Sequence, residues 1–204
     1  MYGIIHKAIR SAVLLHTDEK VWLSILERAE LTDEHFLSPA PYDDNITFQL
    51  IENVAGVMEI TPADALRCVG EHWVDYAKGA GYGSIFGMAG RDLKTFLSNL
   101  DRMHKSLKVT LRDAVMPSFT LLRSDEVGFE ILYRSQRSGL APFVEGILTG
   151  VCRHYDESIT ITSEDQADGV HFSLVHTQNS GADEGRRLEM SETSYGSAPK
   201  IRVA

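Results

Sequence analysis

The sequence predicts an α+β fold, a helical N-terminal half packed on a C-terminal half with a small antiparallel sheet and one helix. Three observations carry it. Apolar residues recur at helical spacing through the first half of the 204-residue chain. After Pro117 the apolar period changes to two. One helical stretch then interrupts the strands, which gives segregated rather than alternating elements. The length fits one domain with room for a core and an enclosed ligand.

The elements follow in order. Ile5, Ala8, Ile9, Ala12 and Val13 form the first apolar stripe. Thr17-Asp18-Glu19 opens a second helix carrying Val21, Trp22, Ile25 and Leu26. Ser38-Pro39-Ala40-Pro41 breaks the pattern. Helical spacing resumes through Phe48, Leu50, Ile51, Val54, Val57 and Met58. Thr61-Pro62-Ala63-Asp64 starts the next helix, with proline at its first position, and Leu66, Val69, Trp73 and Tyr76 extend it. Gly79, Gly81, Gly83, Gly87 and Gly90 predict a loop-rich stretch. A helix over residues 91–107 places Leu93, Phe96, Leu97, Leu100 and Met103 on one face, and His104 falls on that face too. Strands are expected over 118–123 and 128–137, joined by a loop at 124–127. A helix over 141–155 precedes a second hairpin of strands 158–162 and 170–176. The domain is expected over residues 1–177. Residues 178–204 are polar, rich in Gly and Ser and unpatterned, and are expected as a flexible tail.

Composition excludes several classes. Hydrophobic residues make up 43% and charged residues 24%, which argues against a fibrous or wholly disordered chain. A net charge of −9 disfavours nucleic acids and anionic membranes, because both are polyanions. Cys68 and Cys152 are too few for a disulfide scaffold, and both are expected to be buried in a reducing compartment. No run approaches the ~20 apolar residues of a membrane span. Charges interrupt the first ten residues too early for a signal peptide, so the cytoplasm is the expected location.

Three places could carry chemistry. His104, on an apolar helical face, is either a metal or haem-iron ligand or a core histidine satisfied by a carbonyl. In Tyr133-Arg134-Ser135-Gln136-Arg137, strand periodicity would align Tyr133, Ser135 and Arg137 with Phe129 and Ile131. Two hydroxyls and a guanidinium can hold carboxylates, or the set is a solvated strand end. Pro117 either stops the preceding segment or presses a rigid ring on a planar cofactor.

Taken together, these segments resemble the H-NOX (haem nitric oxide/oxygen binding) domain family, related to the haem domain of the soluble guanylate cyclase β subunit. The resemblance rests on Met1-Tyr2-Gly3-Ile4-Ile5, Asn99-Leu100-Asp101 before His104, Met116-Pro117, and Tyr133-x-Ser135-x-Arg137. It covers about residues 1–177. It implies haem b as cofactor, with His104 as the iron ligand and Tyr133, Ser135 and Arg137 clamping the propionates. It further implies that Pro117 distorts the haem, that Ile5 and Trp73 contact it, and that Phe143, or its neighbour Pro142, stands over the iron.

Oxygen-binding relatives place a tyrosine hydroxyl at that last point. Bound oxygen gathers negative charge and gains from a donor, whereas nitric oxide stays nearly neutral. A charge-assisted hydrogen bond of about 1.5–3 kcal/mol changes affinity roughly ten- to a hundredfold. Phe143 and Pro142 have no donor, so a nitric oxide sensor that excludes oxygen is expected. The Trp73 indole is the exception that could donate, although a buried indole N–H usually finds a carbonyl. Cys152 and His154 lie close in sequence, with His171 and His176 later, but the cysteines are too few for the structural zinc of some relatives and residue 139 is Gly. With no phosphate-binding or other catalytic motif, the chain is expected to be a sensor rather than an enzyme. It would signal to a separate histidine kinase or cyclic-di-GMP enzyme (a diguanylate cyclase or phosphodiesterase). The rival readings are an oxygen-binding haem protein, a peroxidase-type haem enzyme using His72, and an interaction module without haem. Helical spacing turns His72 about 100° from Trp73, against the peroxidase.

Overall fold

The computed structural model describes residues 1–31, 36–111 and 114–177. The expected tail, 178–204, lies outside the described residues.

Among the described residues there are seven helices and four strands, and all but the fifth helix follow the expected order. They are α1 (Gly3–Leu14), α2 (Glu19–Arg28), α3 (Asp44–Met58), α4 (Pro62–Ala77), α5 (Gly83–Ala89), α6 (Leu93–Thr110), β1 (Ser118–Ser124), β2 (Gly128–Arg134), α7 (Ala141–His154), β3 (Ile159–Gln166) and β4 (Gly169–His176). The helix starts are encoded locally. Asp18 accepts the Lys20 and Val21 amides, Thr61 accepts the Asp64 amide, and Asp92 accepts the Thr95 amide. Each cap satisfies donors that the first turn cannot pair internally. No helix among the described residues is long and apolar enough to cross a membrane.

The sheet is antiparallel throughout, in the order β1-β2-β4-β3. Phe129 opposes Leu174 and Ile131 opposes Phe172, and all four side chains are buried on the inner face.

Two apolar cores result. One joins α1–α4 around Trp22, Ile25, Leu50 and Ile51. The other joins α6, α7 and the sheet around Phe96, Leu97, Phe172 and Leu174. Helices α4 and α7 serve both cores. Leu66 and Val69 of α4 and Phe143 of α7 belong to the first, while Val74 and Val151 belong to the second. The two helices cross closely because glycines stand at the contact. A Cβ on Gly70 would overlap the Phe143 carbonyl, and one on Gly146 would overlap the Arg67 carbonyl.

Four expectations are corrected. The glycine-rich stretch is not a loop: residues 78–82 form a π-turn, with Gly81 at φ 97°, and α5 follows. Apolar Phe86 and Ala89 are buried there, which outweighs the low helix propensity of the surrounding glycines. Strand β2 stops at Arg134 rather than 137, where the Ser135 hydroxyl accepts the Arg137 amide and turns the chain. The second hairpin is longer and its turn shorter than expected, because Ser163–Gln166 pair with β4 despite their polarity. Finally, Cys68 is exposed, since α4 buries the face bearing Leu66, Val69 and Gly70 and turns Cys68 away from it; Cys152 is buried as expected.

Candidate functional site

Between the two cores lies a mainly apolar cavity of about 250 Å³. Its walls come from α1, α4, α5, α6, the segment before β1, the end of β2 and α7. All eight residues singled out from the sequence line it. His104 comes from α6, Pro117 from the approach to β1, and Tyr133, Ser135 and Arg137 from the end of β2 and its turn. Ile5 comes from α1, Trp73 from α4 and Phe143 from α7.

His104 is fixed at one nitrogen. Its Nδ1 lies 2.9 Å from the Leu100 carbonyl oxygen. A carbonyl only accepts, so Nδ1 carries the proton and donates. Nε2 is then a lone pair, and it has no hydrogen-bond partner among the described residues. Burial lowers the imidazole pKa, against the Leu100 bond and the Asp101 charge, and so favours the neutral ring. Phe119 stacks on the ring at a centroid distance of 5.3 Å. One turn back on α6, Asp101 accepts the Phe119 amide at 3.0 Å and ties α6 to β1. That bond comes first among the causes that hold the Asp101 carboxyl below its usual range, with Lys105 adding to it.

The polar residues collect at one end. Arg137 donates from Nε to Asp44 at 2.6 Å and from Nη1 to the Val115 carbonyl at 2.7 Å, which orients the guanidinium. Burial opposes the charged form of Asp44, but hydrogen bonds from the Met1 ammonium and Arg137 outweigh it and lower the carboxyl pKa. Burial raises the Tyr133 phenol, against Ser135 and Arg137, so its hydroxyl stays protonated. Asp44 is the residue that sequence reading missed. It stands 93 positions from Arg137, and no local pattern pairs them. Tyr82, Ile85 and Phe86 were missed as lining because their stretch read as loop.

Two further expectations meet the geometry. The Trp73 indole N–H finds no carbonyl: it has no acceptor among the described residues, where a committed donor was expected. Trp73 is only half-buried, so leaving its N–H free costs little. His72 faces away from the cavity and lies 2.8 Å from the Ser11 hydroxyl. Among the described residues no group of His, Cys, Asp and Glu could hold a metal ion by themselves. Burial pushes the Cys152 thiol up to about 12.

A haem fits these residues. It has an apolar ring for the walls, an iron for an unpartnered imidazole nitrogen, and two carboxylates for an end holding a guanidinium and two hydroxyls.

Comparison with known proteins agrees. The haem-NO-binding family model matches residues 2–163. A ferrous, nitric-oxide-ligated H-NOX protein from S. oneidensis superposes with a TM-score of 0.78 at 18% identity, covering 87% of this chain and all of that one. Unliganded ferrous H-NOX from K. algicida gives 0.75 at 21% identity, covering 90% and 100%. Soluble guanylate cyclase gcy-32 of Caenorhabditis elegans is 27% identical over 93% of this chain, and 89Da of Drosophila melanogaster is 23% identical over 76%. The chain spans about a quarter of the length of these cyclases, 27% and 23% respectively.

Proposed function

Because the chain belongs to the haem-NO-binding (H-NOX) family of haem gas-sensor domains, related to soluble guanylate cyclases, we propose that it is a sensor selective for nitric oxide over oxygen. The cofactor is haem b, the sensor domain is residues 1–177, and the location is the cytoplasm. The chain itself does no chemistry. It signals by conformational change to a separate histidine kinase or cyclic-di-GMP enzyme.

The observation that carries the reading is His104, a neutral imidazole with an unpartnered Nε2 on the wall of an apolar cavity. When bound, the haem would supply an iron able to take a diatomic gas, with the His104 Nε2 as its protein ligand. The protein does the rest. Leu100 holds the imidazole in the tautomer that presents Nε2. Arg137, oriented by Asp44 and Val115, would hold one propionate by a charge-assisted bond, with the Tyr133 and Ser135 hydroxyls as further donors. Pro117, on the cavity wall, would meet the haem with a rigid ring. Ile5 and Phe143 contribute side chains without a hydrogen-bond donor to the cavity wall. His104 stands on the same helix as Asp101, so a change in its tether reaches β1 through the Phe119 amide and the stacked Phe119 ring.

A second reading has its own observation. Trp73 and Tyr82 line the same cavity, and the indole N–H and the phenol hydroxyl have no acceptor among the described residues. Either could stabilise bound oxygen, which would make this an oxygen-binding protein.

The visible absorption spectrum separates these readings. The purified, anaerobically reduced protein should show haem, stay unchanged in air and respond to nitric oxide. His104→Gly should lose haem unless imidazole is supplied. A stable oxygen complex that Trp73→Phe abolishes would replace nitric oxide selectivity with the second reading. Absence of haem binding would end both.

A further inference from the structure

We infer that the outer face of α6 is a docking surface for an acidic face of a partner protein. The inference rests on the sensor reading, because α6 is the helix that carries His104. Residues 91–108 hold five of the chain's 20 cations, Arg91, Lys94, Arg102, Lys105 and Lys108, against two of its 29 acids, Asp92 and Asp101. All five cations are exposed. At 100° per residue Lys94, Arg102, Lys105 and Lys108 fall within about 120° of one another, and they run along roughly 21 Å of helix. The stripe lies away from the buried face that bears Leu93, Phe96, Leu97 and Leu100.

These cations are also unspent. Lys105 pairs with Asp101 at 3.1 Å, while Arg91, Lys94, Arg102 and Lys108 make no ion pair among the described residues. Elsewhere most of the described arginines are engaged: Arg10 with Glu19, Arg67 with Asp64 and Glu145, Arg123 with Asp125, Arg134 with Asp168, Arg137 with Asp44 and Arg153 with Glu71. Among the described residues the other unpaired cations, Lys7, Lys20 and Arg28, lie on α1 and α2 and form no such stripe.

A protein of net charge −9 repels an acidic partner everywhere except at such a face, so the stripe sets both the attraction and the orientation of docking. A polyanionic nucleic acid fits less well. It would extend past this one helix onto the acidic remainder of the chain, and four free cations release few counterions. His104 and the stripe share one uninterrupted helix, so a displacement of the imidazole is delivered to the docked surface without a hinge.

The test uses the full haem-loaded chain. The probe is a synthetic helical peptide whose glutamates repeat the intervals of the five cations, with a peptide of identical composition in scrambled order as control. Amide shifts in an NMR titration should concentrate in residues 91–108. The triple variant Lys94→Glu, Arg102→Glu, Lys108→Glu should weaken binding by more than about tenfold. Lys7→Glu, Lys20→Glu, Arg28→Glu should leave it unchanged. Equal binding of the scrambled peptide, shifts on another face, or tighter binding of a short single-stranded DNA would each overturn the inference. The haem spectrum of the same samples keeps the two ideas apart. Loss of the haem and nitric oxide response sinks the sensor reading, whereas a normal spectrum without peptide docking sinks only this one.

Discussion

The two nitrogens of His104 have separate duties, and only one was readable in advance. Its place on the apolar face follows from the spacing to Leu97 and Leu100, because the helical period sets faces before any packing exists. The carbonyl of Leu100 was always four residues away, so one bond satisfies the ring and exposes the other nitrogen. His6 shows what a wholly buried core histidine costs. It is wholly buried beside Phe36 and Tyr42, with Nε2 2.8 Å from the Thr47 hydroxyl and Nδ1 without a partner. Burial, aided by the Met1 ammonium, lowers its pKa from 6.5 to about 4. The unfolded chain therefore binds more protons between those values, and stability falls as pH drops from about 6.5 toward 4, by at most about 1.4 kcal/mol per pH unit. Urea midpoints measured at pH 7 and pH 5 should differ in that direction. His6→Gln should flatten the difference, and an unchanged slope in that variant would remove His6 as its cause.

Among the elements, the helices were legible and the exceptions are instructive. Caps such as Asp18, Thr61 and Asp92 act within one turn, so sequence reads them directly. Helix α5 was hidden because five glycines mark breaks in an isolated chain, while burial of Phe86 and Ala89 draws the segment into a helix. Strand β2 was overextended because alternation continues past Arg134 even though pairing with β1 and β4 does not. Tyr133, Ser135 and Arg137 still meet at the cavity, brought there by the turn rather than by strand periodicity. The α4–α7 crossing supplies the prediction at this scale. Gly70→Ala gains up to about 1 kcal/mol of helix propensity. It loses more, about 1–3 kcal/mol, by forcing α7 off the Phe143 carbonyl contact. Thermal unfolding should begin at a lower temperature, and the haem absorption band should shift as Phe143 and Ile147 move on the cavity wall. A variant as stable as the parent would show that the crossing has slack.

For the whole molecule, the cavity between two cores makes ligand and fold interdependent. A group that fills it binds the folded chain and not the unfolded one. Haem at a hundredfold excess over its Kd should therefore add about 2.7 kcal/mol to unfolding. Calorimetry of the apoprotein during haem titration should show a rising transition, and His104→Gly should lose most of the rise. No rise in the parent protein would mean that the cavity does not take haem.

Fold class, helix order, the face of His104 and the acidic balance were all written in local spacing and composition, because period, capping and charge act over a few residues or over the average of all of them. The pairing of Asp44 with Arg137, the freedom of the Trp73 N–H, the end of β2 and the close crossing at Gly70 and Gly146 depend on groups tens of residues apart. Such contacts exist only after the chain has packed, since no short-range preference distinguishes the partner finally met from any other carboxylate, carbonyl or helix face.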